Sequence, residues 1–335
     1  MEALEKRRQT FTFGAHRASD DSGDRSKKNR IVMRVPKGAD SMKNINNRRR
    51  SSNMKKVKYV MALAVTMMGV SVSAELIVSE SFSTGNGSDY VSGVKLDQEP
   101  NKSNLTGTFG FSASAANTWF NGTTSIQPKD GAGLTHSLVQ GTSAGGGLKM
   151  STVNQSGGAR KSMRKLAATP SGSSFYMSGL VTMNGFLSNL DNGERIAMGL
   201  GTNPTNIVFS CETGLFLGLT KDENGDVYLA AFAGGNTYKL GSALTAAQAD
   251  ETQMIVLKLD FNTSGVLDTL TAWTARQTAK ELTQVLSISD LDTGSTRNLM
   301  RFLVQNQNGM DTSSGTVYLD EFRFGTTLQD VTNIP

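Results

Sequence analysis

TVYLDEFRFGTTLQD, residues 316–330, has the alternation of a closing β-strand followed by a turn. Successive side chains of a strand point to opposite faces. The spacing therefore puts Tyr318, Asp320, Phe322 and Phe324 on one side and Val317, Leu319, Glu321 and Arg323 on the other. One carboxylate stands in a row of aromatics. An unpaired charge among apolar groups is expensive, so Asp320 is expected to have a partner: a cation, a backbone donor or water at an open edge.

Similar short runs recur upstream, at 76–82, 106–111, 147–153, 174–183, 195–200, 206–211, 214–220, 227–233, 237–240, 253–260, 268–274 and 301–305. Most are bounded by Gly, Asn, Asp or Ser, which predicts an antiparallel sandwich or barrel. Helix signal is thin: one or two turns over 243–250 and a short turn over 288–292. Between 215–220 and 227–232 the dipeptide Asn224-Gly225 predicts a tight hairpin. The acidic cluster Asp222, Glu223 and Asp226 in that turn lacks the spacing and distant Glu of an EF-hand loop and reads as a solvated turn.

The net charge of +5 is unevenly spread. Residues 1–53 carry 14 Lys and Arg against 6 Asp and Glu, residues 54–74 add three lysines, and residues 75–335 carry 17 against 23. The main domain is acidic, so phosphate would be repelled and nucleic acid is not an expected partner. Residues 1–53 are basic, poor in large apolar groups and without a sustained period, which predicts a disordered leader or a start-site artefact upstream of the functional Met54.

From Met54, MKKVKYVMALAVTMMGVSVSA has a Lys-rich start, an apolar run over 57–70 and Val72-Ser73-Ala74. That is the layout of a signal peptide over 54–74 cleaved after Ala74. The run is shorter than the roughly 20 residues that span a bilayer comfortably; an uncleaved anchor with a basic tail is the alternative. No second apolar segment occurs, so no stable membrane span is expected after cleavage. Residues 75–335 then form one domain.

Cys211 is the single cysteine, which excludes an intramolecular disulfide and a cysteine-based zinc site; it reads as a small buried hydrophobe. His136 is the only histidine outside the leader, and nothing near it resembles a nucleophile elbow.

LIVSESFSTGNGSDY, FGFSASAANTWFNG, SSFYMSGLVTM, MIVLKLDFNTSGVLDTLTAWTA and VYLDEFRFGTTLQDVT, in that order, resemble the concanavalin A-like (laminin G-like) jelly-roll domains of secreted bacterial proteins. The resemblance covers nearly all of residues 75–335 and is strongest in the last 80. It implies an all-β fold of two antiparallel sheets in which the first and last strands, 76–82 and 317–324, lie side by side. It also implies a structural calcium site to which Asp320 contributes, and a secreted or extracellular location in a bacterium, with periplasmic or cell-surface retention as the alternative.

A jelly-roll hydrolase that retains configuration needs two carboxylates about 5 to 5.5 Å apart, which on one strand means acids at i and i+2 or i+4. No such run sits mid-strand: Asp290-Leu291-Asp292 reads as a turn and Asp222 to Asp226 as a hairpin loop. A non-catalytic module that binds extracellular polysaccharide or glycan, or acts in matrix adhesion, needs only aromatic faces and hydrogen-bonding side chains in a shallow groove. Trp273, alternating with Thr269 and Thr271, and Trp119, in a Gly- and Asn-rich loop, are the candidate platforms. The alternatives are a glycan-cleaving hydrolase or lyase of the same fold, and a purely structural extracellular module. The basic run Arg160, Lys161, Arg164 and Lys165 reads as a solvated loop.

Overall fold

The computed structural model describes residues 75–85, 90–96, 98–104, 108–112, 119, 126–139, 145–151, 160–183, 190, 192–202, 214–262, 267–292, 299, 301–307 and 316–334. The leader and signal peptide expected over 1–53 and 54–74, the strand expected over 206–211 and Cys211 lie outside them. Contacts divide the chain into two units, Met1–Met67 and Met68–Pro335, and the architecture below is that of the second.

The strands run in chain order β1 (Leu76–Glu80), β2 (Thr108–Phe109), β3 (Ile126–Asp130), β4 (Gly146–Ser151), β5 (Arg160–Lys165), β6 (Ser174–Thr182) and β7 (Arg195–Gly201). They continue with β8 (Gly214–Lys221), β9 (Val227–Ala233), β10 (Asn236–Leu240), β11 (Gln253–Asp260), β12 (Asp268–Arg276), β13 (Thr283–Leu291), β14 (Arg301–Gln307) and β15 (Thr316–Gly325). Besides a 3-10 turn at Asn101–Ser103, the described residues hold two short helices, α1 (Ala246–Asp250) and α2 (Leu328–Val331). Each opens on a capping box, Thr245 with Gln248 and Thr327 with Asp330, in which the threonine hydroxyl accepts a backbone N–H and the other side chain reaches back.

The strands form a nine-stranded sheet, ordered β13-β12-β11-β6-β15-β1-β2 with β4 on β15 and β3 on β4, and a six-stranded sheet, ordered β10-β9-β8-β7-β14-β5. Every pairing between named strands is antiparallel, so the expected two-sheet sandwich is the architecture found. The period of two explains the layers. In β7 and β8, Ile196, Met198, Leu200, Leu215, Leu217 and Leu219 point between the sheets and meet Met177, Val181, Ile255, Leu257 and Leu259 of β6 and β11. The alternate residues Ala197, Phe216, Ala230, Phe232 and Leu303 make a second cluster on the far face of the six-stranded sheet.

The last strand closes the large sheet. It pairs with β6 on one side; on the other, Thr316–Leu319 pairs with β4 and Phe322–Gly325 pairs with β1. The first and last strands are therefore neighbours, as expected. The exchange of partner falls at a β-bulge between Asp320 and Arg323, where Glu321 adopts φ +48°. An extra residue at a bulge reverses the alternation beyond it. Val317 and Leu319 consequently share the inter-sheet core with Phe322 and Phe324, while Tyr318 lies on the outer face. This corrects the face assignment made from spacing alone: Asp320 does not stand in a row of aromatics.

Three strands were not expected. β3 carries Pro128, and β13, at the outer edge of the large sheet, is largely exposed with Val285 and Leu286 adjacent, so neither shows the usual alternation. β5 is the basic run read as a solvated loop; it is the edge strand of the small sheet, and its Arg164 is fully buried.

Candidate functional site

The outer face of the nine-stranded sheet divides into a covered half and an open half. On the covered half, Leu134, Leu138, Val139 and Val331 pack on Leu180, Met254, Val256 and Ala275 of β6, β11 and β12. The cover is the segment 131–139 together with α2, and directed hydrogen bonds fix it. Asp320 Oδ2 accepts from Leu134 N at 2.8 Å, Ser178 Oγ donates to Val331 O at 2.7 Å, and Asn333 N donates to Leu138 O at 2.8 Å. His136 Nε2 lies 2.8 Å from Arg276 O, and its Nδ1 accepts from Leu138 N at 3.2 Å, an arrangement that calls for the neutral Nε2–H tautomer. Burial lowers its pKa in the same sense.

On the open half, the ladder aligns Tyr176 of β6 with Lys258 of β11 and Thr271 of β12; in the next row on the same face Ser178 and Val256 lie under the cover, and Trp273 of β12 stands at its margin. Tyr176 and Trp273 are half-buried at the margin of the covered cluster. Two strands over and two residues along places them about 12 Å apart. The Lys258 ammonium sits 5.7 Å from the Tyr176 ring centroid and 2.8 Å from an Asp260 oxygen, and Ser174 Oγ donates to that carboxylate at 2.7 Å. Beside Tyr176 the surface opens into a groove of about 620 Å³, walled by Glu75, residues 171–174, Lys258, Thr326, Thr327 and Leu328. One aromatic ring, a set of hydroxyl-bearing residues and a lysine ammonium, itself paired with Asp260, thus meet at a single depression.

Trp119 is placed otherwise. It is fully buried, 5.9 Å from the Phe302 ring and 6.3 Å from that of Phe82, and its Nε1 donates to the Tyr90 hydroxyl at 3.0 Å. A ring enclosed on this scale offers no face to a ligand, so the sequence expectation of a platform there is corrected. It belongs to a polar group inside the sandwich: Tyr90 Oη donates to Glu80 Oε2 at 3.0 Å, Phe82 N donates to Glu80 Oε1 at 3.0 Å, and Arg164 Nη1 stands 4.0 Å from Glu80. The guanidinium lies 5.1 Å from the Phe111 ring centroid and 5.8 Å from that of Trp119. Burial outweighs the arginine and raises the Glu80 pKa to about 7.

Asp320 has its partner in backbone donors. Oδ2 takes Leu134 N and Oδ1 takes Glu321 N, each at 2.8 Å, and the residue is fully buried. Burial first, then the neighbouring Glu321 carboxylate, raises its pKa well above the ordinary range. Calcium requires six to eight convergent oxygens. Here an N–H group points at each carboxylate oxygen, and among the described residues no three acidic or histidine side chains converge. The donor set at Asp320 fits a hydrogen-bonded carboxyl and does not fit calcium.

The acidic hairpin is also committed internally. Asp222 Oδ1 accepts from Asn224 N and Asp226 N, and Oδ2 meets Lys239 Nζ at 2.7 Å, with Gly225 at φ +88° making the reversal. Among the described residues no helix is long and apolar enough to cross a membrane.

The fold and site define a two-sheet antiparallel β-sandwich with a hydroxyl-rich groove on the outer face of its larger sheet. No protein-family model and no curated protein matches the chain. Among solved structures it is similar to the globular domain of T. cruzi calreticulin, with a TM-score of 0.38 and 11% identity over 64% of this chain and 85% of that one. It is similar also to the lectin UEA-II complexed with galactose (TM-score 0.37, 12% identity, 63% and 98% covered) and to a GH43 glycoside hydrolase (TM-score 0.36, 12% identity, 69% and 46% covered).

Proposed function

We propose that the domain is a secreted, non-catalytic module that binds extracellular glycan through the open half of the large sheet's outer face. The observation that carries this reading is the pairing of a half-exposed aromatic with hydroxyls and an ammonium in one groove: Tyr176 beside Ser174, Thr326, Thr327 and Lys258, the last held by Asp260. Aromatic faces meet the C–H faces of sugar rings, and neighbouring polar groups answer the hydroxyls. Trp273, about 12 Å along the same face, extends the surface, so the ligand is an oligosaccharide running from the groove across β11 and β12. Lys258 and Asp260 neutralise each other at 2.8 Å, which suits an uncharged sugar.

The secreted destination rests on the signal-peptide layout of residues 54–74. Calcium is left out of the reading because Asp320 is held by backbone donors. The test is a glycan array probed with the full chain after export, with and without calcium. Binding to a set of related neutral glycans that is indifferent to calcium is expected; no binding to any glycan would remove the proposal.

A further inference from the structure

Asp330 is a collecting point at the C-terminal end of the sandwich. Its Oδ2 accepts from Thr326 N at 3.0 Å, Thr327 N at 2.7 Å and Thr327 Oγ1 at 2.9 Å, which the turn into α2 explains. One further donor comes from the other end of the domain: Glu75 N, 3.2 Å from Asp330 Oδ2 and 3.2 Å from Thr326 Oγ1. Thr326 N in turn donates to Glu75 O at 3.2 Å. Gly325 makes the approach possible, since a Cβ there would lie 2.4 Å from the Asp330 Cβ. Among the described residues, Asp330 has no salt-bridge partner.

Glu75 is also the residue that follows the expected processing point, Ala74. As an internal amide its nitrogen carries one hydrogen, shared between two oxygens. Hydrolysis of the Ala74–Glu75 peptide bond by a leader endopeptidase adds one water, leaving a carboxylate on Ala74 and an ammonium on Glu75. That ammonium carries three hydrogens and a positive charge, and it would stand where a carboxylate and a hydroxyl already face it. Backbone-built pockets for terminal amines use this chemistry.

We infer that Asp330 and Thr326 form a built-in receptor for the α-ammonium created at Glu75, so that export processing locks the first strand to the last turn with a new ion pair. The other charges facing this nitrogen are Lys258, which lines the same groove and is paired with Asp260 at 2.8 Å, and the side chain of Glu75 itself. Residue 75 is exposed, so the pair is a latch at the rim and not a part of the core.

The experiment is to express the full chain in a secreting bacterial host, determine the first residue of the exported protein, and titrate its α-amine by the pH dependence of its acylation rate. A first residue of Glu75 is expected, with an apparent pKa about one unit above the ordinary value of roughly 7.7 to 8.0 and a corresponding tenfold loss of reactivity at pH 7. Asp330→Asn should return the amine to the ordinary value. A variant engineered to be processed one residue earlier, so that Ala74 is retained, should do the same with Asp330 intact, which separates the ion pair from the helix-capping role of Asp330. A different first residue, an uncleaved chain, or an ordinary pKa in the wild-type protein would each overturn the inference.

Discussion

Asp320 Oδ2 and Leu134 N, 186 positions apart in the chain, lie 2.8 Å from each other in the interior. This hydrogen bond ties the segment covering half of the outer sheet face to the bulge where the last strand changes partner. Removing the carboxyl strands two buried N–H groups, Leu134 and Glu321. Asp320→Ala should therefore cost about 2 to 4 kcal/mol by denaturant unfolding, at roughly 1 to 2 per unsatisfied donor. Asp320→Asn, which keeps one acceptor, should cost less. A chelator should leave the melting temperature unchanged, and a clear drop on chelation would restore a metal at this position.

Glu80 makes stability depend on pH. Its folded pKa of about 7 lies above the ordinary 4.5. The folded state therefore binds this proton more tightly than the unfolded chain. The resulting stabilisation is fully present below pH 4.5 and is lost as pH rises through 7. A shift of that size corresponds to on the order of 3 kcal/mol. Asp320, raised in the same direction, adds to the trend, whereas His136, lowered by burial, opposes it once acid enough to charge the ring. Denaturant unfolding should show a more stable domain at pH 5 than at pH 8, and Glu80→Gln should flatten most of the difference. Equal stability at the two pH values in the wild type would contradict this account of the buried group.

Loss of residues 316–334 removes the strand that pairs with β6, β4 and β1 together. Three strand edges would be opened at once, and open edges invite aggregation. A chain ending at residue 315 should be insoluble or lack a cooperative transition. Soluble protein with an unchanged melting curve would show that β15 is dispensable.

Much of this architecture was legible in the sequence, because most strands announce themselves by alternation. β9 and β11 were expected over their observed spans, and the hairpin at Asn224-Gly225 closes as anticipated. What escaped has physical causes. The bulge at Asp320 inserts one residue without a Gly or Pro to mark it, so the strict period of two assigned the wrong face to half of β15. Arg164 looked solvated because charge runs usually are; its burial depends on Glu80 and Tyr90, distant in sequence, and on rings above it. Of the candidate platforms, Trp119 failed since a loop tryptophan can fill a core as readily as line a surface. The groove beside Tyr176 went unread because its walls come from four separate parts of the chain, near residues 75, 172, 258 and 327.

The most direct test of the account is the affinity of the exported protein for its best array glycan, measured by titration calorimetry for wild type, Tyr176→Ala and Trp273→Ala. Each substitution should weaken binding at least tenfold, about 1.4 kcal/mol, with the fold retained. Unchanged affinity in both variants would mean that the open half of the outer sheet face is not where this protein meets its ligand.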